Sequence, residues 1–142
     1  CGRTTTLYPC HQSRVLRGLG REVHRRLCAA GLRVRPPVGG FYVWIDFRAH
    51  TEAFGKRGIL SSPQLCERLL QESGVAILPG AAFERPAEEL TARLAYVNFD
   101  GARALDGSRD HALSEELPGA FFDEYCESTL AGIDALVHWV HA

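Results

Sequence analysis

The segment of residues 41–47, Phe-Tyr-Val-Trp-Ile-Asp-Phe, constrains the fold of this chain more than any other stretch. Six of its seven residues are aromatic or β-branched, and such residues favour a pleated strand over a helix. The pairs Pro36-Pro37 and Gly39-Gly40 precede the segment and end the helical pattern before it. The sequence therefore predicts a buried strand here.

A helix is predicted before this strand, from about residue 12 to residue 30. Its apolar members recur every four residues and form one stripe: Val15, Leu19, Val23 and Leu27. Its arginines lie off the stripe and are expected on the solvated side: Arg14, Arg17, Arg21 and Arg25. Residues 1–11 lack this periodicity and are expected to be a lead-in segment, so the predicted domain runs over residues 12–142.

The rest of the chain predicts further elements of both kinds. A helix begins at Ser61 with a hydroxyl cap followed by proline, and Gly74 ends it. Strands are predicted at residues 75–78 and 91–99, a final helix at 121–141, and loops at 48–60 and 100–119. The order helix, strand, helix, strand, strand, helix predicts an α+β fold, a small and mostly antiparallel sheet packed with helices.

Composition argues against several classes of partner. The net charge of −1 gives no field that would attract nucleic acid, and no apolar run approaches the roughly 18 residues that cross a membrane. The five cysteines are widely spaced without a C-x-x-C motif, so we predict a reduced, cytoplasmic protein without disulfides. The chain begins at Cys1 and contains no methionine, so we expect it to be part of a longer protein.

Arg93 is the strongest candidate for chemistry, because it interrupts a strand of apolar and small residues. A buried guanidinium needs an anionic partner, and its planar fork matches a carboxylate with two parallel hydrogen bonds. From the residues alone two other interpretations stay open: Arg93 lies at the wet end of a strand, or it pairs with a nearby acid. Residues 75–83, which include Pro79-Gly80 and an anchoring Phe83, form either the wall of a cleft or a plain connection.

Other reactive side chains fit simpler explanations. Lys56 stands in a polar segment, where a lysine stays protonated and hydrated and is a poor nucleophile. His138 and His141 are too few ligands for a metal, and nothing beside Cys10-His11 activates the thiol. We therefore predict no metal site and no catalytic residue in this chain.

Together these segments resemble the C-terminal part of class I/II aminotransferases. The family's strand of type G-x-F/Y-x-W-x-D/E corresponds to residues 39–46. Its motif G-V-x-x-x-P-G-x-x-F matches residues 74–83 at every fixed position, and its R-L-A/S-x-x strand matches residues 93–97. The resemblance covers residues 12–100 and the last helix.

The resemblance implies the small domain of an enzyme that uses pyridoxal 5'-phosphate to transfer an amino group between an amino acid and a 2-oxo acid. Arg93 would bind the substrate α-carboxylate, and Tyr42 would either face the substrate or pack in the core. The cofactor would be held by a lysine of the large domain, which this chain lacks; Lys56 does not match that motif. The parent enzyme would be a homodimer. The chain alone is expected neither to hold the cofactor tightly nor to transaminate.

Alternatives with the same residues stay open. They are a lyase or synthase that uses the same cofactor and fold, an aminotransferase-like domain of a transcriptional regulator, and a free-standing interaction module. The groups that select the substrate side chain lie mostly elsewhere, so the sequence does not identify the amino acid. The segment 100–119 is longer than the family's usual passage to the last helix and has no assigned role.

Overall fold

The computed structural model describes the backbone of residues 4–35, 42–96, 101–111 and 117–142, with side chains except at 4–13 and 101–102. The helices are α1 (Thr4–Ala29), α2 (Thr51–Lys56), α3 (Ser62–Ser73), α4 (Gly101–Ser108), α5 (Gly119–Tyr125) and α6 (Glu127–Val140). The strands are β1 (Arg33–Val34), β2 (Tyr42–Asp46), β3 (Leu78–Pro79) and β4 (Thr91–Ala95). Short 3-10 turns cover Arg48–His50 and Gly80–Phe83.

The four strands form one antiparallel sheet in the order β1-β2-β4-β3. The predicted α+β class with a small antiparallel sheet and packed helices is therefore confirmed. Side chains alternate across each strand, so the sheet has two different faces. One face is buried and carries Val43, Ile45, Ala92 and Leu94. The opposite face carries Tyr42, Trp44 and Arg93, which are only partly buried or exposed, and we call it the open face.

The core forms where helices pack on the buried face. The predicted stripe on α1 is confirmed, because each of its members is at most a few per cent exposed: Val15, Leu19, Val23 and Leu27. Helix α6 packs against both α1 and α3, and α3 also contacts β4. The helices thus hold β4, and with it the residues of the open face, against a fixed base.

The predicted ends of α3 are confirmed. The Ser61 hydroxyl accepts a hydrogen bond from the backbone N–H of Gln64 at 3.3 Å, as an N-cap does. Gly74 ends the helix with a φ of 77°, a left-handed conformation that favours glycine.

Several predicted boundaries are wrong. Helix α1 begins at Thr4 rather than near residue 12, although residues 4–11 lack the apolar periodicity from which the helix was predicted. The predicted loops contain α2 and α4, and the predicted final helix is interrupted at Cys126 between α5 and α6. Strand β1 was not predicted, and β3 shares only Leu78 with the predicted strand 75–78. Strand β4 ends at Ala95, and residues 97–99 of the predicted strand lie outside the described residues.

Arg14 is not solvated as predicted. It is 5% exposed, and its guanidinium donates hydrogen bonds to the backbone oxygens of Ser108 and, at 3.2 Å, of His111. Ser108 is the last residue of α4, where a cation is favoured by the helix dipole, and His111 follows three residues later. Arg14 therefore fixes α1 to the segment that the sequence predicted as loop.

None of the helices within the described ranges has the length and apolar character that crossing a membrane requires.

Candidate functional site

Arg93 lies on the open face in the middle of β4, between β2 and β3. Its backbone is paired with Trp44 on one side and with Leu78 on the other. Its guanidinium carbon lies 4.8 Å from the centroid of the Tyr42 ring and 4.4 Å from that of Phe83. Both distances are within the range of cation–π attraction, so the two rings hold the guanidinium in place.

The Phe83 ring is itself fixed by the turn that carries it. It meets the Trp44 ring edge-on, with centroids 5.7 Å apart. The turn Gly80–Phe83 is attached to the start of α3, because the Ala81 N–H donates to the Ser62 hydroxyl at 3.2 Å. The turn Gly80–Phe83 therefore lies beside Arg93, whereas Val75 and Ala76, from the same predicted segment, border a different cavity with Leu94.

Gly80 is required by close packing at the start of this turn. A Cβ atom on Gly80 would collide with the hydroxyl of Thr91 and approach the Thr91 backbone oxygen to 3.2 Å. Because Thr91 begins β4, the glycine lets the turn lie directly against the strand that holds Arg93.

A second arginine near two aromatic rings, Arg57, differs from Arg93 in having a carboxylate partner. Arg57 lies 4.3 Å from the Trp139 ring and 5.6 Å from the Phe54 ring, much as Arg93 lies between its two rings. However, Arg57 also has an ion pair with Glu72 at 3.5 Å. Within the described ranges, Arg93 has no ion pair with an aspartate or glutamate. The charge of Arg57 is therefore neutralised inside the fold, whereas that of Arg93 faces the open side of the sheet.

This geometry narrows the interpretations of Arg93. Its position between two strands excludes the wet end of a strand, and no described carboxylate pairs with it. A partly buried guanidinium between aromatic rings keeps its N–H edge available for a planar anion. The arrangement is suited to binding a carboxylate.

A groove of about 430 Å³ continues along the open face from Trp44. Four arginines and two carboxylates line it: Arg33, Arg35, Arg48, Arg85, Asp46 and Glu89. This groove was not predicted from the sequence, although the alternation of Tyr42, Trp44 and Asp46 along β2 indicates that their side chains lie on the same face of the sheet.

Both carboxylates of the groove are ionised. Two hydrogen bonds from Arg85, at 2.6 and 2.8 Å, and one from the Thr91 hydroxyl lower the pKa of Glu89 to about 2, against the opposing effect of burial. Hydrogen bonds from Arg48 likewise lower the pKa of Asp46. The two acids and their two arginines therefore form charged pairs at neutral pH.

The other candidate residues are placed as follows. Tyr42 is 49% exposed and its ring lies near the guanidinium of Arg93, so of the two alternatives given for Tyr42 the position in the core is excluded and a role in facing the substrate stays a prediction. Lys56 is exposed and lies 3.7 Å from Glu52 at the end of α2, outside the set of residues around Arg93. Within the described residues, no group of three potential metal ligands comes together.

Comparison with known proteins gives a consistent result. The sequence profile of "Aminotransferase class I and II" matches residues 14–97. A probable aspartate/prephenate aminotransferase of Aquifex aeolicus is 35% identical over 79 residues, which cover 56% of this chain and 18% of that protein.

Solved structures share the fold. An aspartate aminotransferase of Thermotoga maritima matches with a TM-score of 0.52 and 19% identity, over 99% of this chain and 25% of that one. An aromatic aminotransferase of Pyrococcus horikoshii matches with a TM-score of 0.55 and 21% identity, over 92% of this chain and 24% of that one. This chain thus spans about a quarter or less of each relative, and it belongs to the aminotransferase class I and II family.

Proposed function

We propose that this chain is the small domain of an aminotransferase that uses pyridoxal 5'-phosphate, and that Arg93 receives the α-carboxylate of the substrate. The observation that carries the proposal is the guanidinium of Arg93, stacked between Tyr42 and Phe83 without a carboxylate partner in the described part of the chain. The family supports an amino acid and a 2-oxo acid as the two substrates.

One arginine serves both halves of such a reaction. The amino acid and the 2-oxo acid each carry a carboxylate bonded directly to the reacting carbon, so the same clamp orients both. The two neighbouring rings restrict the movement of the guanidinium, so less conformational freedom is lost when the two parallel hydrogen bonds form. Fixing the carboxylate also fixes the neighbouring Cα, whose proton must be removed.

The residues of this chain do not fit the cofactor itself. Pyridoxal phosphate supplies an electron sink when it is bound, and enzymes attach it through a lysine. Lys56 is the only lysine of the sequence; it is exposed and its ammonium is near Glu52. We therefore assign cofactor binding to parts of the protein beyond this chain, and assembly as a homodimer remains a prediction.

Kinetics of the complete enzyme test the proposed role. In Arg93→Lys the charge stays but the planar fork is lost, so we expect kcat/KM for the amino acid to fall about a hundredfold, as for one lost hydrogen bond to a charged group. The matched control is Arg57→Lys, which changes an arginine that also lies near aromatic rings but forms an ion pair with Glu72. That variant should lose thermal stability and keep kcat/KM within about twofold. Equal kinetic losses in both variants would refute the assignment.

Product analysis separates the reactions that share this arginine. Formation of a new amino acid from a 2-oxo acid identifies amino-group transfer, whereas release of ammonia or a broken carbon–sulfur bond identifies a lyase. The 142-residue chain alone, mixed with pyridoxal phosphate, should show no absorption band of lysine-bound cofactor. Such a band would contradict the assignment of cofactor binding to other parts of the protein.

A further inference from the structure

Two residues of β2 are diagonal neighbours of Arg93 on the open face. In the register of β2 with β4, Trp44 pairs with Arg93, and Tyr42 and Asp46 lie two residues to either side of Trp44 on the same face. Diagonal neighbours in an antiparallel pair are about 7–8 Å apart, which long side chains can still span. Arg93 therefore has an aromatic ring on one diagonal and a carboxylate on the other.

The guanidinium of Arg93 lies at the ring and not at the carboxylate. Its carbon is 4.8 Å from the centroid of the Tyr42 ring, and among the described residues Arg93 has no ion pair with Asp46. Hydrogen bonds to a charged carboxylate stabilise a guanidinium more than the face of a half-exposed ring does. The surroundings of Asp46 must therefore explain why Arg93 does not pair with it.

Arg48 already occupies the carboxylate of Asp46. Its Nε lies 3.0 Å from each carboxylate oxygen, its Nη2 lies 2.7 Å from one of them, and its backbone N–H donates at 2.9 Å. The same guanidinium is 3.6 Å from Glu89, the other carboxylate of the groove, which Arg85 holds at 2.6 Å. Both acids of the groove thus have arginine partners, and Arg48 contacts both acids.

We propose that Arg48 is a positioning residue for the carboxylate site, because by occupying Asp46 it leaves the guanidinium of Arg93 free for the substrate. The inference rests on the proposed role of Arg93. An ion pair between Arg93 and Asp46 would have to break before a substrate could bind, so the apparent affinity would fall with the fraction of molecules that form the pair. Arg48 acts through Asp46 and need not touch the substrate.

Butyrate binding to the 142-residue chain tests this role. We would follow the Nε–Hε NMR signal of Arg93 at a constant ionic strength of about 0.1 M, which largely screens exposed charges more than about 10 Å apart. Arg48→Gln should bind butyrate about fivefold more weakly than the wild type, the effect of one exposed ion pair. In this variant the Arg93 signal should already be shifted before butyrate is added.

A second substitution separates competition by Asp46 from damage to the fold. Adding Asp46→Asn to Arg48→Gln should restore the affinity and the ligand-free Arg93 signal of the wild type, because no carboxylate is left to pair with Arg93. Unchanged backbone spectra would confirm that both variants keep the fold. A loss of affinity that the second substitution does not reverse would refute the role of Arg48.

Arg33→Gln is the matched control for charge. It removes an exposed arginine from the same groove, opposite Asp46 on β1, and leaves Arg48 in place. The affinity for butyrate should change by less than about twofold, and the ligand-free Arg93 signal should stay unchanged. Equal losses in Arg33→Gln and Arg48→Gln would show a general effect of charge and refute the role of Arg48.

The titrations also separate this inference from the proposed function. If Arg48→Gln binds butyrate as tightly as the wild type, Asp46 does not compete for Arg93, so the role of Arg48 is refuted and that of Arg93 stands. If butyrate leaves the Arg93 signal of the wild type unchanged, both the role of Arg48 and the proposed function fail.

Discussion

The guanidinium carbon of Arg93 lies 4.4 Å from the centroid of the Phe83 ring. This contact connects strand β4 with the last residue of the turn Gly80–Phe83. This relationship explains why the P-G-x-x-F and R-L segments occur together in one chain. The turn supplies the ring that holds the arginine, and the missing Cβ of Gly80 lets the turn reach β4. The family's separate motifs are thus parts of one structural unit.

The ring of Tyr42, rather than its hydroxyl, is expected to support Arg93. Tyr42→Ala removes a cation–π contact at 4.8 Å and should weaken carboxylate binding up to about fivefold. Tyr42→Phe keeps the ring and should bind as the wild type does. The measurement is the dissociation constant of the 142-residue chain for butyrate, obtained by titration while the Nε–Hε NMR signal of Arg93 is followed. If the phenylalanine variant loses as much affinity as the alanine variant, the Tyr42 hydroxyl and not its ring supports carboxylate binding.

Gly80→Ala should destabilise the fold by about 1–3 kcal/mol, because the added Cβ overlaps Thr91 at a packed contact. Urea unfolding measures the change. Gly132→Ala is the control: it lies inside α6 with no atom near the added carbon, and it should raise stability by about 0.5–1 kcal/mol. A Gly80→Ala variant as stable as the wild type would contradict the packing described here.

Acid should destabilise the chain partly through Glu89. Its folded pKa of about 2 is below the ordinary value of 4.5, chiefly because Arg85 donates hydrogen bonds to the ionised carboxylate. The stabilisation is therefore complete above about pH 5 and is lost as the pH falls towards 2. Between pH 7 and pH 3, Glu89→Gln should lose less stability than the wild type.

Glu88→Gln provides the comparison, because Glu88 is an exposed neighbour. That variant should lose as much stability between pH 7 and pH 3 as the wild type. Equal losses in the wild type and in Glu89→Gln would show that Glu89 is not held by Arg85 in solution.

Thiol labelling should distinguish the cysteines. Burial raises the pKa of Cys66 and of Cys126 to about 12, so at pH 8 almost none of either is the reactive thiolate. Cys28 is exposed. Iodoacetamide followed by peptide mass spectrometry should find Cys28 modified in the native chain and the two buried cysteines modified only in urea. Rapid labelling of Cys66 in the native chain would contradict the buried position of this residue on α3.

Local signals were enough to predict some elements from the sequence. Ser61 and Gly74 define the ends of α3, since a cap and a left-handed glycine act within one turn. Helix α2 was missed because its one buried residue, Phe54, gives no periodicity. Phe54 is instead held by stacking on Trp139, a contact between distant parts of the chain.

The candidate site likewise combines a residue that local sequence signals reveal with contacts between distant parts of the chain. Arg93 could be found from the sequence because a charge in an apolar strand is unusual and needs an explanation. The rings around Arg93 could not be predicted, because they depend on how β2 pairs with β4 and on where the turn Gly80–Phe83 lies. The groove beside Trp44 also depends on β1, which has only two residues and whose register exists only in the folded sheet.

The most direct test of the central claim pairs a change in the enzyme with a change in the substrate. We would measure kcat/KM for an amino acid substrate and for its carboxamide, in the wild type and in Arg93→Gln of the complete enzyme. If Arg93 binds the α-carboxylate, the wild type prefers the acid strongly, and the variant loses about a hundredfold of that preference. If the ratio of the two substrates stays within about twofold in the variant, Arg93 does not bind that carboxylate.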